Sequence, residues 1–180
     1  NANITIADGT YTLATGDDGV HADDALIVNG GTITVTESYE GLEGLTVTIN
    51  DGTIDITASD DDINTAGEKM ELNGGYIHIL AGGDGVDSNG DLTINGGEIY
   101  IDGPSDNGNS AIDYGDRSSA YVNGGTLVAI GSSGMAEVMS DSSKQKVLMV
   151  KLGEQMEAGN VVLTDSEGNV IVSYTALKTY

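Results

Sequence analysis

The chain has 180 residues, 29 acidic against 6 basic side chains, a formal net charge of −23 and no cysteine. Such a charge excludes nucleic-acid binding, which needs a basic surface, and disfavours contact with an anionic membrane. The lack of cysteine excludes disulfides and thiolate zinc sites. No apolar run approaches the roughly 20 residues of a membrane-spanning helix, so we expect no membrane insertion.

One motif, a glycine-containing turn followed by a short alternating strand, recurs along the chain. Its copies are ADGTYTL (7–13), NGGTITV (29–35), NDGTIDI (50–56), NGGYIHI (73–79), NGGEIYI (95–101) and NGGTLVA (123–129), which start 22, 21, 23, 22 and 28 residues apart. A period near 22 residues built from strands and turns indicates a solenoid, and the missing leucine signature argues against leucine-rich repeats. We therefore predict an all-β fold, a parallel β-helix with about six coils of ~22 residues.

Each predicted coil has three sides. The strand after the turn alternates, so that pairs such as Ile33 and Val35 face inward; a second alternating strand precedes the turn, as at Leu26 and Val28. A lone aliphatic residue marks the third side, at Val20, Leu42, Ile63, Val86 and Ile112. At the turn we expect a ladder of asparagines, a residue that tolerates positive φ, at Asn29, Asn50, Asn73, Asn95 and Asn123.

The repeat fades after residue 130. We predict a further strand at 145–152 and a β-hairpin at 160–174, with DSEGN at its turn. A solenoid needs an end cap over its last apolar layer. We therefore divide the single domain into β-helix coils over 1–134, and the last coil with a C-terminal hairpin cap over 135–180.

Acidic residues flank the lone aliphatic residues at the period of the coils. Aligned on that aliphatic position, one column contains Asp18, Glu40, Asp61, Asp84 and Ser110, and a parallel column contains His21, Glu43, Asn64, Asp87 and Asp113. Residues one coil apart stack at ~4.8 Å, where two like charges repel by about 1 kcal/mol in water and about 3–4 kcal/mol at an effective dielectric of 20.

A divalent cation would relieve this repulsion, and calcium takes carboxylate and carbonyl oxygens in flexible geometry. The candidate calcium ligands are Asp18, Glu40, Glu43, Asp60, Asp61, Asp62, Asp84 and Asp87. Protonation of some carboxylates, or a bare solvated acidic surface, is the alternative.

The segments DDGVHAD, GGTITV, EGLEG and SDDDIN, in successive coils, resemble the bacterial carbohydrate-binding parallel β-helix family, as does the C-terminal LTDSEGNVIVSYTALKTY. The resemblance covers nearly the whole chain. It implies a right-handed, single-stranded β-helix with calcium between coils, on a bacterial cell surface or secreted, that binds acidic plant polysaccharide such as polygalacturonate. The matching residues are Asp18, Glu40, Glu43, Asp61 and Asp62, although this family has glycine where Asp62 stands.

Three functions remain open on the sequence. The first is non-catalytic binding of an acidic polysaccharide, with no catalytic residue and with possible sugar contacts at the outward-facing Tyr76, His78 and Tyr100. The second is an enzyme of the pectate lyase or polygalacturonase type. The only arginine, Arg117, is the residue available as the base of a lyase, and His21 is the histidine next to the acidic column. The cap lysines are expected to lie far from that column. The third is a structural adhesin segment.

Overall fold

The computed structural model describes residues 2–180, apart from the side chain of Glu68. Over these residues the chain forms sixteen strands: β1 (Ile4–Ile6), β2 (Thr10–Ala14), β3 (Val20–Val28), β4 (Thr32–Glu37), β5 (Leu42–Ile49), β6 (Thr53–Ile56), β7 (Ile63–Leu72), β8 (Tyr76–Leu80), β9 (Val86–Ser88), β10 (Asp91–Ile94), β11 (Glu98–Asp102), β12 (Ile112–Tyr114), β13 (Ala120–Val122), β14 (Thr126–Ile130), β15 (Gly159–Thr164) and β16 (Val170–Ala176). No helix in this described part of the chain is long and apolar enough to cross a membrane.

Two parallel sheets run along the length of the coiled region. The first has the order β1-β3-β5-β7-β10-β13, with β9 paired to β7 and β12 paired to β9. The second has the order β2-β4-β6-β8-β11-β14. The second sheet takes one strand from each successive coil, and the first sheet takes one or two, so the predicted parallel β-helix is confirmed. Its six stacked rungs in the second sheet are separated by five turns.

Stacked aliphatic columns fill the interior. Ile33, Ile54, Ile77 and Ile99 are in register on successive strands and are each fully buried. The lone aliphatic residues predicted for the third side are also in register, as Val20, Leu42, Ile63, Val86 and Ile112. A fully buried aliphatic side chain stabilises a fold by roughly 1.5–3 kcal/mol, so these columns supply the main force that holds the coils together.

The turns before the second sheet combine an asparagine ladder with a strained glycine. Each asparagine Nδ2 donates to the Oδ1 of the asparagine one coil earlier at 2.8–2.9 Å, from Asn50 to Asn123, as predicted. The predicted positive φ lies elsewhere. Within residues 2–180 only glycines have it, as at Gly75 (φ 84°), where a Cβ would also lie 2.6 Å from the carbonyl oxygen of Gly52. A side chain at that position is excluded by both geometry and space.

The predicted hairpin is confirmed, because β15 and β16 pair antiparallel. The strand predicted over 145–152 is wrong. Ser140 and Gln145 donate to the carbonyl oxygens of Ala120 and Val122 and cover the edge of β13, but the residues that follow form no strand and are mostly exposed. A strand needs a hydrogen-bonded neighbour, and here residues 148–156 and β14 line a cavity of about 920 Å³ instead of pairing.

Candidate functional site

The acidic side of the β-helix is built at the corner where each coil enters the first sheet. Backbone hydrogen bonds of 2.8–3.3 Å, from Gly19 to Glu40, Gly41 to Asp61, Asp62 to Asp84 and Gly85 to Ser110, place the coils one above another. The strand register aligns His21, Glu43, Asn64, Asp87 and Asp113 in a second column. Both predicted columns are therefore present beside the lone aliphatic residues, and most of their side chains are partly exposed, whereas Ser110 and Asn64 are buried.

Three carboxylates from two adjacent coils form the first cluster. One oxygen from each of Asp61, Asp84 and Asp87 lies within 4.8 Å of the other two. Burial raises the pKa of Asp61 to about 7 and that of Asp87 to about 6, and the neighbouring carboxylates add to both shifts. Burial and nearby carboxylates also raise the pKa of Asp84, whose amide donates to Asp61 Oδ1 at 2.8 Å. Without a cation, this cluster retains protons near neutral pH.

Asn64, which is in register with Asp87, has an unsatisfied side-chain oxygen. Its side-chain nitrogen donates to Glu40 Oε2 at 2.9 Å, while Oδ1 is buried and has no hydrogen-bond partner among the described residues. The residue is 8% exposed, and its neighbours in the column are Glu43 and Asp87, which are acceptors when ionised. This buried acceptor has no donor among the described residues, so water or a cation would have to satisfy it.

The second cluster lies two coils earlier and includes an imidazole. His21 Nδ1 lies 3.0 Å from Asp18 Oδ2 and also contacts Glu43 Oε2. The hydrogen bond to Asp18, followed by the charge of Glu43 and a hydrogen bond to it, raises the pKa of His21 against the opposing effect of burial. A protonated His21 therefore neutralises part of the carboxylate charge here, which the all-carboxylate cluster lacks.

Three of the predicted calcium ligands lie outside both clusters. Glu40 accepts the hydrogen bond from Asn64, and Asp60 lies beside the Tyr39 hydroxyl, whose pKa it raises. Asp62 does not face this surface at all. It is fully buried, its Oδ1 accepts from the Ala58 amide at 3.1 Å, its Oδ2 has no partner among the described residues, and burial raises its pKa to about 8.

One cap lysine, Lys178, acts on a buried carboxyl outside the acidic columns. Its Nζ donates to the Ala81 carbonyl oxygen, and its charge acts on the carboxyl of Asp62, whose pKa it lowers against the effect of burial. The charge of this C-terminal ammonium thus acts on a carboxyl more than half of the sequence away.

The residues predicted for sugar contact lie on the second sheet, in different environments. Tyr76 is 41% exposed, but the ring of Tyr100 is stacked under Tyr174 of the hairpin, with centroids 5.1 Å apart. His78 lies between two carboxylates, 3.2 Å from Asp55 and 3.6 Å from Asp102. Of the three, Tyr76 is the one that presents an open aromatic surface.

A shallow groove of about 610 Å³ runs along the glycine turns next to Tyr76. Its floor is glycine backbone, and acidic residues Asp51 and Glu98 lie along its length. The groove is therefore open and anionic, and it offers no basic group to an anionic ligand.

His21, a member of the second cluster, and Asn64, in register with Asp87, were absent from the predicted ligand set. Both occupy the second column in the sequence alignment of the coils, and that position is the signal that identifies them. The chain matches no protein-family model, no curated protein and no solved structure. Its function must therefore be argued from the geometry of these clusters.

Proposed function

We propose that the chain is a non-catalytic binding module that holds calcium on its acidic side and uses it to bind an acidic polysaccharide such as polygalacturonate. The observation that supports this most directly is the convergence of Asp61, Asp84 and Asp87 from two coils, with oxygens within 4.8 Å of one another. Such a module belongs outside the cell or on a bacterial cell surface, where acidic plant polysaccharides are met.

Calcium fits the chemistry of this cluster better than other common cations. Every ligand that the cluster offers is a hard carboxylate oxygen. Calcium accepts 6–8 oxygens at 2.3–2.6 Å in irregular arrangements, whereas magnesium demands a near-ideal octahedron. Three carboxylates leave positions for water or for the carboxylates of a ligand.

Electrostatics explains why the ligand would be bound through the cation. The chain has a formal net charge of −23, so it repels a uronate polymer that approaches it directly. A partly coordinated calcium ion offsets two of the three carboxylate charges of the cluster and supplies ligand positions that a uronate carboxylate can fill. The same ion removes the repulsion within the column, so binding and folding are stabilised together.

Affinity electrophoresis through a gel containing polygalacturonate tests the proposal, run with calcium and with a chelator. We expect retardation only with calcium. We also expect Asp61→Asn and Asp87→Asn to lose most of it, because each removes one ligand of the cluster. The matched control is Glu154→Gln, an exposed residue in the C-terminal region with the same change of charge, which should be retarded like the parent protein.

Equal mobility in the two gels would contradict the proposal. If calcium then still raised the melting temperature, the clusters would be structural sites of an adhesin-like segment. An absorbing unsaturated product released from the polymer would instead identify a lyase, and would contradict the non-catalytic part of the proposal.

A further inference from the structure

The C-terminal hairpin covers part of the outward surface of the second sheet. The ring of Tyr174, on β16, is stacked on Tyr100 with planes 12° apart, and Tyr100 lies 5.7 Å from the ring of Tyr76. In the register of the sheet, Tyr100 is next to His78, which is next to Asp55. The hairpin therefore places its own aromatic ring on the flat surface that the sheet presents.

One buried carboxylate holds this arrangement. Asp102, the last residue of β11, is 1% exposed. Its Oδ2 accepts from the Tyr174 hydroxyl at 2.5 Å, and its Oδ1 accepts from the Leu177 amide at 2.9 Å. Burial alone would raise the pKa of Asp102, but hydrogen bonds from His78, Tyr174 and Leu177 hold it below its ordinary value. Hydrogen bonds to an ionised acceptor are roughly twice as strong as neutral ones.

Lys178 supplies a second polar attachment just beyond the hairpin. Its Nζ donates to the carbonyl oxygen of Ala81 and lies in the field of Asp62 and Asp102. Burial lowers the pKa of Lys178, and the two carboxylates act in the opposite direction. The residues that follow β16 are thus attached by polar contacts at the end of β11 and just after the neighbouring strand β8.

Elsewhere the hairpin packs loosely on the β-helix. Leu163 and Val172 line the cavity of about 920 Å³ together with Leu127 and Ile130 of β14. On the other side of the hairpin, Val162, Val170 and Ile171 are 51%, 62% and 61% exposed. An element with little apolar burial and a few strong polar attachments opens at a lower free energy than the core to which it is attached.

We propose that the hairpin β15–β16 is a lid over the ring of Tyr100, closed by the hydrogen bonds of Tyr174 and Leu177 to Asp102. In the closed state the ring of Tyr174 is stacked on the ring of Tyr100, and the Tyr174 hydroxyl and His78 both face Asp102 Oδ2. In the open state the ring of Tyr100 and His78 become accessible to solvent, while the β-helix remains folded. The lid is separate from the acidic clusters and requires neither calcium nor a polysaccharide.

Hydrogen exchange of the Leu177 amide, followed by NMR, measures the opening of the lid directly, because this amide donates to Asp102 only in the closed state. Tyr174→Phe keeps the ring and removes the hydroxyl. We expect Leu177 to exchange on the order of tenfold faster in this variant, the factor expected for the loss of one charge-assisted hydrogen bond. The amide of Ile54 in the core should be unaffected, and Ser173→Ala, on the exposed side of β16, should leave both amides unchanged.

A second measurement uses the absence of tryptophan from the chain. In a Tyr100→Trp background the only tryptophan lies under Tyr174, and acrylamide should quench it more strongly after Tyr174→Ala or Asp102→Asn than after Ser173→Ala. The lid is rejected if quenching is the same in all three variants. It is also rejected if Leu177 and Ile54 accelerate together, because the hairpin would then unfold only with the core.

Discussion

Asp62 occupies a position that is glycine in three other coils, at Gly19, Gly41 and Gly85. A Cβ at Gly41 would lie 2.5 Å from a methyl carbon of Ile56, and one at Gly85 would lie 2.4 Å from a methyl carbon of Ile101, so this position points into the core. The third coil accommodates a carboxyl there, but leaves one of its oxygens without a partner among the described residues. A buried carboxyl of this kind is costly when ionised.

The first prediction concerns Asp62→Asn. The folded-state pKa of Asp62 is raised from 3.8 to about 8, so between these values the unfolded chain is ionised while the folded protein retains the proton. Stability contributed by the neutral carboxyl is therefore complete below the unfolded pKa and is lost as pH rises to about 8. The asparagine keeps the acceptor for Ala58 and does not titrate.

We expect Asp62→Asn to be close to neutral near pH 4 and stabilising by more than about 1 kcal/mol near pH 8, measured by urea unfolding at both values. Asp141→Asn, an exposed change of the same type, is the control and should show no such pH dependence. A stability difference that does not grow with pH would mean that Asp62 is ionised in the folded protein.

The sequence period predicts which residues share a column, because stacking depends only on the spacing between coils. Asp18, Asp61 and Asp84 fall in one column for that reason. The period does not predict that Asp62 turns inward. Three successive aspartates are chemically alike, and which of them faces the core depends on the path of the backbone around the corner; the only sequence signal of that path is the glycine at the equivalent position of three other coils.

At the scale of the element, the asparagine ladder fixes the corner between the two sheets. Asn73 donates to Asn50 Oδ1 at 2.9 Å and accepts from Asn95 Nδ2 at 2.8 Å, so it takes part in two rungs. Asn29, at the end of the ladder, accepts from Asn50. The ladder was predictable because its members recur at the coil period with glycine immediately after them in most coils.

We predict that Asn73→Ala lowers the free energy of unfolding by about 1–2 kcal/mol, because it breaks two hydrogen bonds worth roughly 0.5–1.5 kcal/mol each. Asn29→Ala breaks one rung and should cost about half as much. Urea unfolding of the two variants measures the difference. Equal costs would show that the side-chain ladder contributes little and that the turn is held by its backbone.

The C-terminal elements show what local patterns leave open. Alternation on both sides of DSEGN predicts the hairpin, because its pairing is local. The same kind of alternation predicts a strand at 145–152, which does not form, because the chain does not bring that segment against the edge of β14. The stacking of Tyr174 on Tyr100 could not be predicted from local patterns either, because Asp102 and Tyr174, which form the hydrogen bond beside it, are 72 residues apart in the sequence.

For the whole molecule, part of the net charge of −23 comes from carboxyls that are buried or half-buried, where ionisation is most costly. The pKa values of Asp61, Asp62 and Asp87 are raised from 3.8 to about 7, 8 and 6, in each case chiefly by burial. The folded protein therefore holds protons that the unfolded chain has already released. The pKa values of His21 and His78 are also raised in the folded protein, so above pH 6.5 the folded protein retains imidazole protons that the unfolded chain has released.

The last prediction follows from this proton balance. In the calcium-free protein, stability should fall as pH rises from about 4 to about 8, because the folded state binds more protons than the unfolded state throughout that window. Calcium competes for the ionised carboxylates, so the stabilisation that it gives should grow over the same range. The urea midpoint at about pH 5 and about pH 8, with and without calcium, measures both effects. A calcium-free midpoint that rises with pH would contradict the protonated columns. A calcium effect of equal size at both pH values would mean that the ion binds away from Asp61, Asp84 and Asp87, since these carboxyls, whose pKa values are raised, must lose protons to receive it.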